Sequence, residues 1–164
     1  MSVELVRIDN RLVHGQVIEA WVPYTHADRI VVIDNAVASD PLKRSILELA
    51  TPRDIRLDIL SVPEAVEAYE ARSFEAGHVI VIFAGPREAS QAYRAGFGFR
   101  RLNVGNVHYA DGKTRVSTSV CCDREELELL QELAGEGVEV EVRTLPREAA
   151  RRIGPNGRTN ERRN

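Results

Sequence analysis

Apolar positions along this chain fall into two kinds of run. Short β-branched stretches, such as Arg29-Ile30-Val31-Val32-Ile33 and His78-Val79-Ile80-Val81-Ile82-Phe83, are apolar almost throughout. That is the pattern of a strand covered on both faces. Between them lie longer stretches in which apolar residues recur every three or four positions, as in a helix with one buried face. The spacing predicts strands over about 4–9, 29–33, 55–60, 78–83, 101–105, 114–120 and 138–142. Helices are predicted over about 15–23, 41–50, 63–72, 86–96 and 123–134.

Punctuation supports the helix starts. Ser39-Asp40-Pro41 supplies a cap and an early proline, Ser61-Val62-Pro63-Glu64 has the S-x-x-E capping form, and Asp123 precedes the last helix. In the helix after Pro41, Leu42, Ile46, Leu49 and Ala50 are expected to form the core-facing side. Strands alternating with helices define an α/β fold: an open, mostly parallel sheet with helices on both faces and an antiparallel pairing allowed at the last strands. Ligand chemistry in such sheets sits in the loops at the C-terminal ends of the strands, which places residues 9–14, 34–39, 60–63, 83–87 and 104–107 on the candidate edge.

Composition adds bounds. The chain has 164 residues, enough for one core, and is read as a single domain over 1–146 followed by an arginine-rich segment, 147–164, expected to be flexible. From Arg147 onward six arginines meet two glutamates, and no apolar period continues past Ile153. Across the whole chain Lys+Arg is 22 and Asp+Glu 25, so nothing calls for nucleic acid as a partner. The N-terminus shows neither a basic leader nor a long apolar run, and a cytoplasmic location, at most peripheral to the inner face of the membrane, is expected.

Candidate chemistries narrow in turn. No G-x-G-x-x-G follows the first strand. Gly112-Lys113-Thr114 imitates the end of a P-loop, but Val107 stands where the first glycine is needed, so a hairpin turn is expected there. His14, His26, His78 and His108 lack metal-ligand spacing, and no metal or cofactor is expected. Cys121 and Cys122 are adjacent and read as small strand-end residues, at least one of them buried. His26 reads as a surface residue and His78 as a strand entry, while His108, in the loop after Asn106, is placed to line a site on the catalytic edge.

His14 remains. It lies in the first candidate loop, with Arg7 and Arg11 close in sequence and a helix beginning after it. Gly15 permits close backbone approach, the helix start offers free N–H groups, and guanidinium forks suit a dianionic phosphate. The residues alone leave two readings open: a structural histidine or a phosphate-handling one.

The run Arg7-Ile8-Asp9-Asn10-Arg11-Leu12-Val13-His14-Gly15-Gln16-Val17, with Trp21 beyond it, closely resembles the signature of enzyme IIB of the mannose/fructose/sorbose family of the bacterial sugar phosphotransferase system. Ala27 to Val32, Ala50-Thr51-Pro52, Ile59 to Val62, Leu102 to Gly105 and Gly137 to Val140 are also similar to that family's segments in the same order, so the likeness spans about 4–145.

The resemblance implies that His14 accepts a phosphoryl group, on Nδ1, from a phosphohistidine of enzyme IIA and passes it to a sugar held by the membrane subunits IIC and IID. This is a protein-Nπ-phosphohistidine–sugar phosphotransferase activity. It implies that Arg11 binds phosphoryl oxygens and that Asp9 braces the loop or orients an arginine. It leaves Arg7 either compensating charge or anchoring the loop. Asn10, Gly15 and Gln16 match the motif as phosphate-binding or loop-supporting positions. Asn10 stands where many members carry a second aspartate, and Asn106 where glycine is common. A regulatory phosphoacceptor of the same fold without a permease is the alternative, a non-catalytic anion-binding module a third. The sugar and the choice between monomer and homodimer stay open.

Overall fold

A computed structural model describes residues 3–156 and the backbone of residues 159–161. The strands are β1 (Val3–Asp9), β2 (Arg29–Ile33), β3 (Arg56–Leu60), β4 (Val79–Phe83), β5 (Arg101–Asn106), β6 (Thr114–Arg115), β7 (Cys121–Cys122), β8 (Glu139–Val142), β9 (Arg151–Ile153) and β10 (Thr159–Glu161). The helices are α1 (Val22–Thr25), preceded by one π-helical turn at Val17–Trp21, then α2 (Asn35–Ala38), α3 (Pro41–Ala50), α4 (Val62–Glu70), α5 (Pro86–Arg94) and α6 (Arg124–Gly135).

Eight strands form one open sheet in the order β10-β9-β8-β5-β1-β4-β2-β3. It is parallel from β3 to β8 and antiparallel where β9 joins β8 and β10 joins β9. Every residue of β2 and β4 is buried, as their unbroken apolar runs require. The two cores lie on opposite faces. Val6, Ile8, Val81 and Phe83 pack against α4, α5 and α6 on one, while Ile30, Val32, Ile80 and Ile82 pack against Val17, Trp21 and Leu47 on the other.

β1 sits near the middle of the sheet, between β4 and β5. Its alternate residues point to opposite faces. Val6 and Ile8 enter the first core, so Arg7 and Asp9 are turned to the face carrying the π-helical turn and α1. The strand's C-terminus therefore delivers two charged side chains beneath the loop that bears His14.

Two expectations are corrected. In α3 the side chains of Leu42, Ile46 and Leu49 face outward, at 71%, 55% and 88% exposure, and Ala50 is exposed too. Leu47 enters the core instead, and Arg44 Nη1 donates to the carbonyls of Ala38 and Ile59, which fixes the helix about its axis. Of the strand expected over 114–120 only the two residues of β6 are present, paired with β7 beyond it. Ser117 Oγ accepts the N–H groups of Ser119 and Val120, so a local turn takes the donors a strand would have used. The segment from 147 onward carries β9, where Ile153 is buried opposite Val140 and Arg152 bonds Glu139 at 2.5 Å. Its residues 157–158 and 162–164 lie outside the described residues.

Candidate functional site

Asp9 is the hub of the loop. It is fully buried, and its two oxygens accept from three side chains at once. Arg7 Nε and Nη2 reach Oδ2 at 3.3 and 2.9 Å. Arg11 donates its backbone N–H and Nε to Oδ1, both at 3.1 Å, and Nη2 to Oδ2 at 3.2 Å. His14 Nε2 lies 2.9 Å from Oδ2. Burial pushes the Asp9 carboxyl up, but the hydrogen bonds from His14 and Arg11 and the charge on Arg7 more than reverse this. The group is held well below the ordinary carboxylate range and is an anion at neutral pH.

An anion opposite Nε2 fixes the tautomer of His14. The carboxylate can only accept, so Nε2 carries the proton and Nδ1 keeps its lone pair. The side chain is 16% exposed. Its carbonyl accepts the N–H of Ile18 at 3.1 Å, so the helix starts here, and the N–H groups of Gly15, Gln16 and Val17 have no acceptor within it. A side chain added at Gly15 would meet no atom within 4 Å, so there is open space at this position. The chain reaches the helix through Leu12, held at φ +59°, a left-handed conformation that strains a non-glycine residue.

The two arginines divide their work. Arg7 is fully buried and all five of its N–H groups are spent: two on Asp9, one on Asn103 Oδ1 at 2.5 Å, and one each on the carbonyls of Arg143 and Thr144 at 3.2 Å. Arg7 thus both offsets the charge of Asp9 and ties the loop to the chain around residues 103 and 143–144. Arg11 keeps 31% of its side chain exposed; its Nε and Nη2 bond Asp9 and Gln16, and among the described residues its Nη1 has no acceptor. Gln16 Oε1 accepts from Arg11 Nη2 at 3.1 Å and steadies it.

Around Arg7 lie residues that sequence reasoning passed over. Trp21, named only as part of the motif, is 1% exposed, donates Nε1–H to the carbonyl of Thr144 at 2.9 Å, and has the Arg7 and Arg143 guanidiniums 5.1 and 5.2 Å from its ring centre. Asn103 joins Arg7 to Glu141, its Nδ2 donating at 3.2 Å. Gly105 is where the Arg7 head passes over the strand, and an added Cβ would sit 2.0 Å from Cζ. A glycine inside a strand was the one available signal of such a close approach. Gly105→Ala is accordingly expected to cost roughly 3–5 kcal/mol, the range for disrupting a buried ion pair. A denaturant titration showing less than about 1 kcal/mol, the size of an ordinary surface change, would contradict this packing.

Asn10 and Asn106 meet at the rim. Asn106 Nδ2 donates to Asn10 Oδ1 at 2.7 Å and lies 3.3 Å from His108 Nδ1, on an exposed loop. Cys121 and Cys122 are buried and unbridged, and burial pushes the Cys122 thiol up to about 12, which makes it a poor nucleophile. Among the described residues no three ligating side chains come together as a metal site, and no helix is long and apolar enough to cross a membrane.

Fold and loop together define an open α/β domain with His14, Arg11 and a buried Asp9 gathered at the C-terminal edge of its sheet. Residues 3–157 match the family described as the sorbose subfamily IIB component of the phosphotransferase system. The sorbose-specific EIIB component of Lacticaseibacillus casei is 31% identical over 145 residues, covering 88% of each chain. The mannose-specific EIIAB component of Escherichia coli K12 is 30% identical, and the match covers 88% of this chain and 45% of that longer one. The crystal structure of the IIB domain of the Klebsiella pneumoniae sorbose permease superposes with a TM-score of 0.85 at 28% identity, over 92% of each chain. The chain belongs to the sorbose subfamily of phosphotransferase-system IIB components, and it is a phosphotransfer component of sugar uptake. Members of this family are components of the sugar phosphotransferase system and work alongside its other components.

Proposed function

We propose that His14 Nδ1 is the phosphoryl acceptor and that the protein is a protein-Nπ-phosphohistidine–sugar phosphotransferase. In this reading it takes its phosphoryl group from a IIA phosphohistidine and delivers it to a sugar held by IIC and IID. The observation that carries the reading is the 2.9 Å contact between His14 Nε2 and a buried, ionised Asp9, which leaves Nδ1 as the only free lone pair of the ring.

The balance of the step is simple. The Nδ1 lone pair attacks phosphorus, an N–P bond forms on His14 as the donor's N–P bond breaks, and the donor imidazole leaves with the electron pair. The His14 ring keeps its Nε2 proton and gains positive charge, which the Asp9 carboxylate stabilises as a triad aspartate does. Arg11 Nη1 and the N–H groups of Gly15, Gln16 and Val17 support the three phosphoryl oxygens, and the open space at Gly15 gives them room. No metal is needed, because the donor is already a phosphoramidate.

Nitrogen-15 NMR of the phosphorylated protein tests this. Coupling of phosphorus to Nδ1 of His14, with Nε2 still protonated, is the expected outcome, and coupling to Nε2 would overturn it.

A further inference from the structure

The Asp9 network holds the phosphoryl loop from one side only. Arg11, His14 and Arg7 all lie on the sheet face to which Asp9 points, whereas Asn10, the next residue, is held from elsewhere. Its N–H donates to the carbonyl of Asn106 at 3.1 Å, and its Oδ1 accepts from Asn106 Nδ2 at 2.7 Å. This second hold falls where the ladder between β1 and β5 is irregular. The register slips between Ile8 and Asp9, so Asp9 is level with Asn106 rather than with the residue that a regular ladder would supply. Three residues on, Leu12 is strained at φ +59°. A strained loop at the end of a slipped ladder reaches one geometry only when something fixes it.

We propose that Asn106 is a positioning residue for phosphoryl transfer, acting through Asn10 on the loop that presents Arg11 and His14. The orientation of its amide is set by its own partners. Both hydrogens on Nδ2 have acceptors, Asn10 Oδ1 and His108 Nδ1, at the rim of the site. Asn106 is 9% exposed, so little water competes for the bond. The inference rests on the reading of His14 as phosphoryl acceptor.

The pair makes a specific pattern of outcomes. Asn106→Gly removes the side-chain bond and keeps the backbone one. Asn10→Ala removes the same bond from the other end. Asn10→Asp keeps an acceptor facing Nδ2 and strengthens the bond by charge. Initial rates of His14 labelling are measured with two donors, a IIA phosphorylated from phosphoenolpyruvate and the small molecule phosphoramidate, which docks no protein surface. Asn106→Gly and Asn10→Ala are each expected to lower the maximal rate about tenfold with both donors, a loss of orientation rather than of binding. The KM for IIA stays unchanged, the double variant is no slower than either single one, and Asn10→Asp keeps the wild-type rate. Loss confined to the IIA donor would make Asn106 a docking residue and overturn the proposal. So would independent, multiplying effects, or a rate loss that only follows the unfolded fraction seen by circular dichroism. If the wild type labels at another residue, the reading of His14 fails. If it labels at His14 and Asn106→Gly is as fast, only the present proposal fails.

Discussion

His14→Gln protein, given the phosphorylated IIA donor, is expected to take up no acid-labile phosphate. Glutamine is the informative replacement. Its terminal NH2 can donate to Asp9 in place of Nε2–H, so the buried carboxylate keeps a partner and the loop keeps its anchor. Alanine would leave that partner missing, at a cost of about 1.5–3 kcal/mol for a hydrogen bond to a charged group. The glutamine chain should therefore unfold at nearly the wild-type denaturant concentration and yet carry no label, because an amide nitrogen has no lone pair to offer. Label on the glutamine chain at anything near the wild-type level would mean that the acceptor lies elsewhere.

Asp9→Asn is expected to have the second largest effect, and it acts in two ways. An amide has one oxygen where Asp9 has two, and it faces six N–H contacts from Arg7, Arg11 and His14. The NH2 end must point at some of these donors. Arg7, with no exposure, is left as a poorly compensated buried charge, worth about 3–5 kcal/mol of stability. Independently, the amide cannot stabilise the imidazolium that phosphorylation creates, and it tolerates the wrong tautomer of His14. A fall in labelling rate of about 10²–10⁴ is expected on that ground. Single-turnover labelling under conditions where circular dichroism shows the variant folded separates the two effects. A folded Asp9→Asn protein labelling at the wild-type rate would reduce Asp9 to a structural anchor.

The same pair of proteins has a pH signature. The folded-state pKa of Asp9 lies below its ordinary value of 3.8, so its stabilisation is fully present above that value. It is lost as pH falls from there through the depressed value. The wild type should exceed Asp9→Asn in stability by a constant margin near neutrality, and the margin should shrink below about pH 4. A margin that instead grows on acidification would contradict the sign.

Much of this was readable from residues. The buried strands at 29–33 and 79–83 are announced by nearly continuous apolar runs, the capping box at Ser61 forms as its spacing requires, and Asp123 caps the last helix. Asp9, Arg11, His14 and Gln16 were legible as a group because they lie within one loop and meet one another there. What stayed hidden depends on residues far apart in the chain. Arg7 carries the same guanidinium as Arg11 and differs from it only through Asn103 and the carbonyls of Arg143 and Thr144, which occupy its donors. No local pattern encodes a partner more than ninety positions away. The outward face of α3 was missed for a related reason. Periodicity gives an apolar stripe but not its direction, and here the bonds from Arg44 to Ala38 and Ile59 decide it. The strand at 151–153 escaped because it is short and rich in arginine, and one buried side chain, Ile153, gives no period to read.

The saturation of Arg7 and Asp9 bears on the direction of flow. Every N–H of that guanidinium is already committed before a phosphoryl group arrives, so little of the framework has to rearrange when one comes or goes. A socket of this kind lowers the barrier for loading and unloading alike. In the proposed exchange with a donor histidine, one N–P bond replaces another, and the two states lie close in free energy. The protein would then act as a two-way relay on that side, its occupancy following the ratio of charged to uncharged donor. The pull toward product would come from the later step, in which the N–P bond is traded for the more stable ester on a sugar.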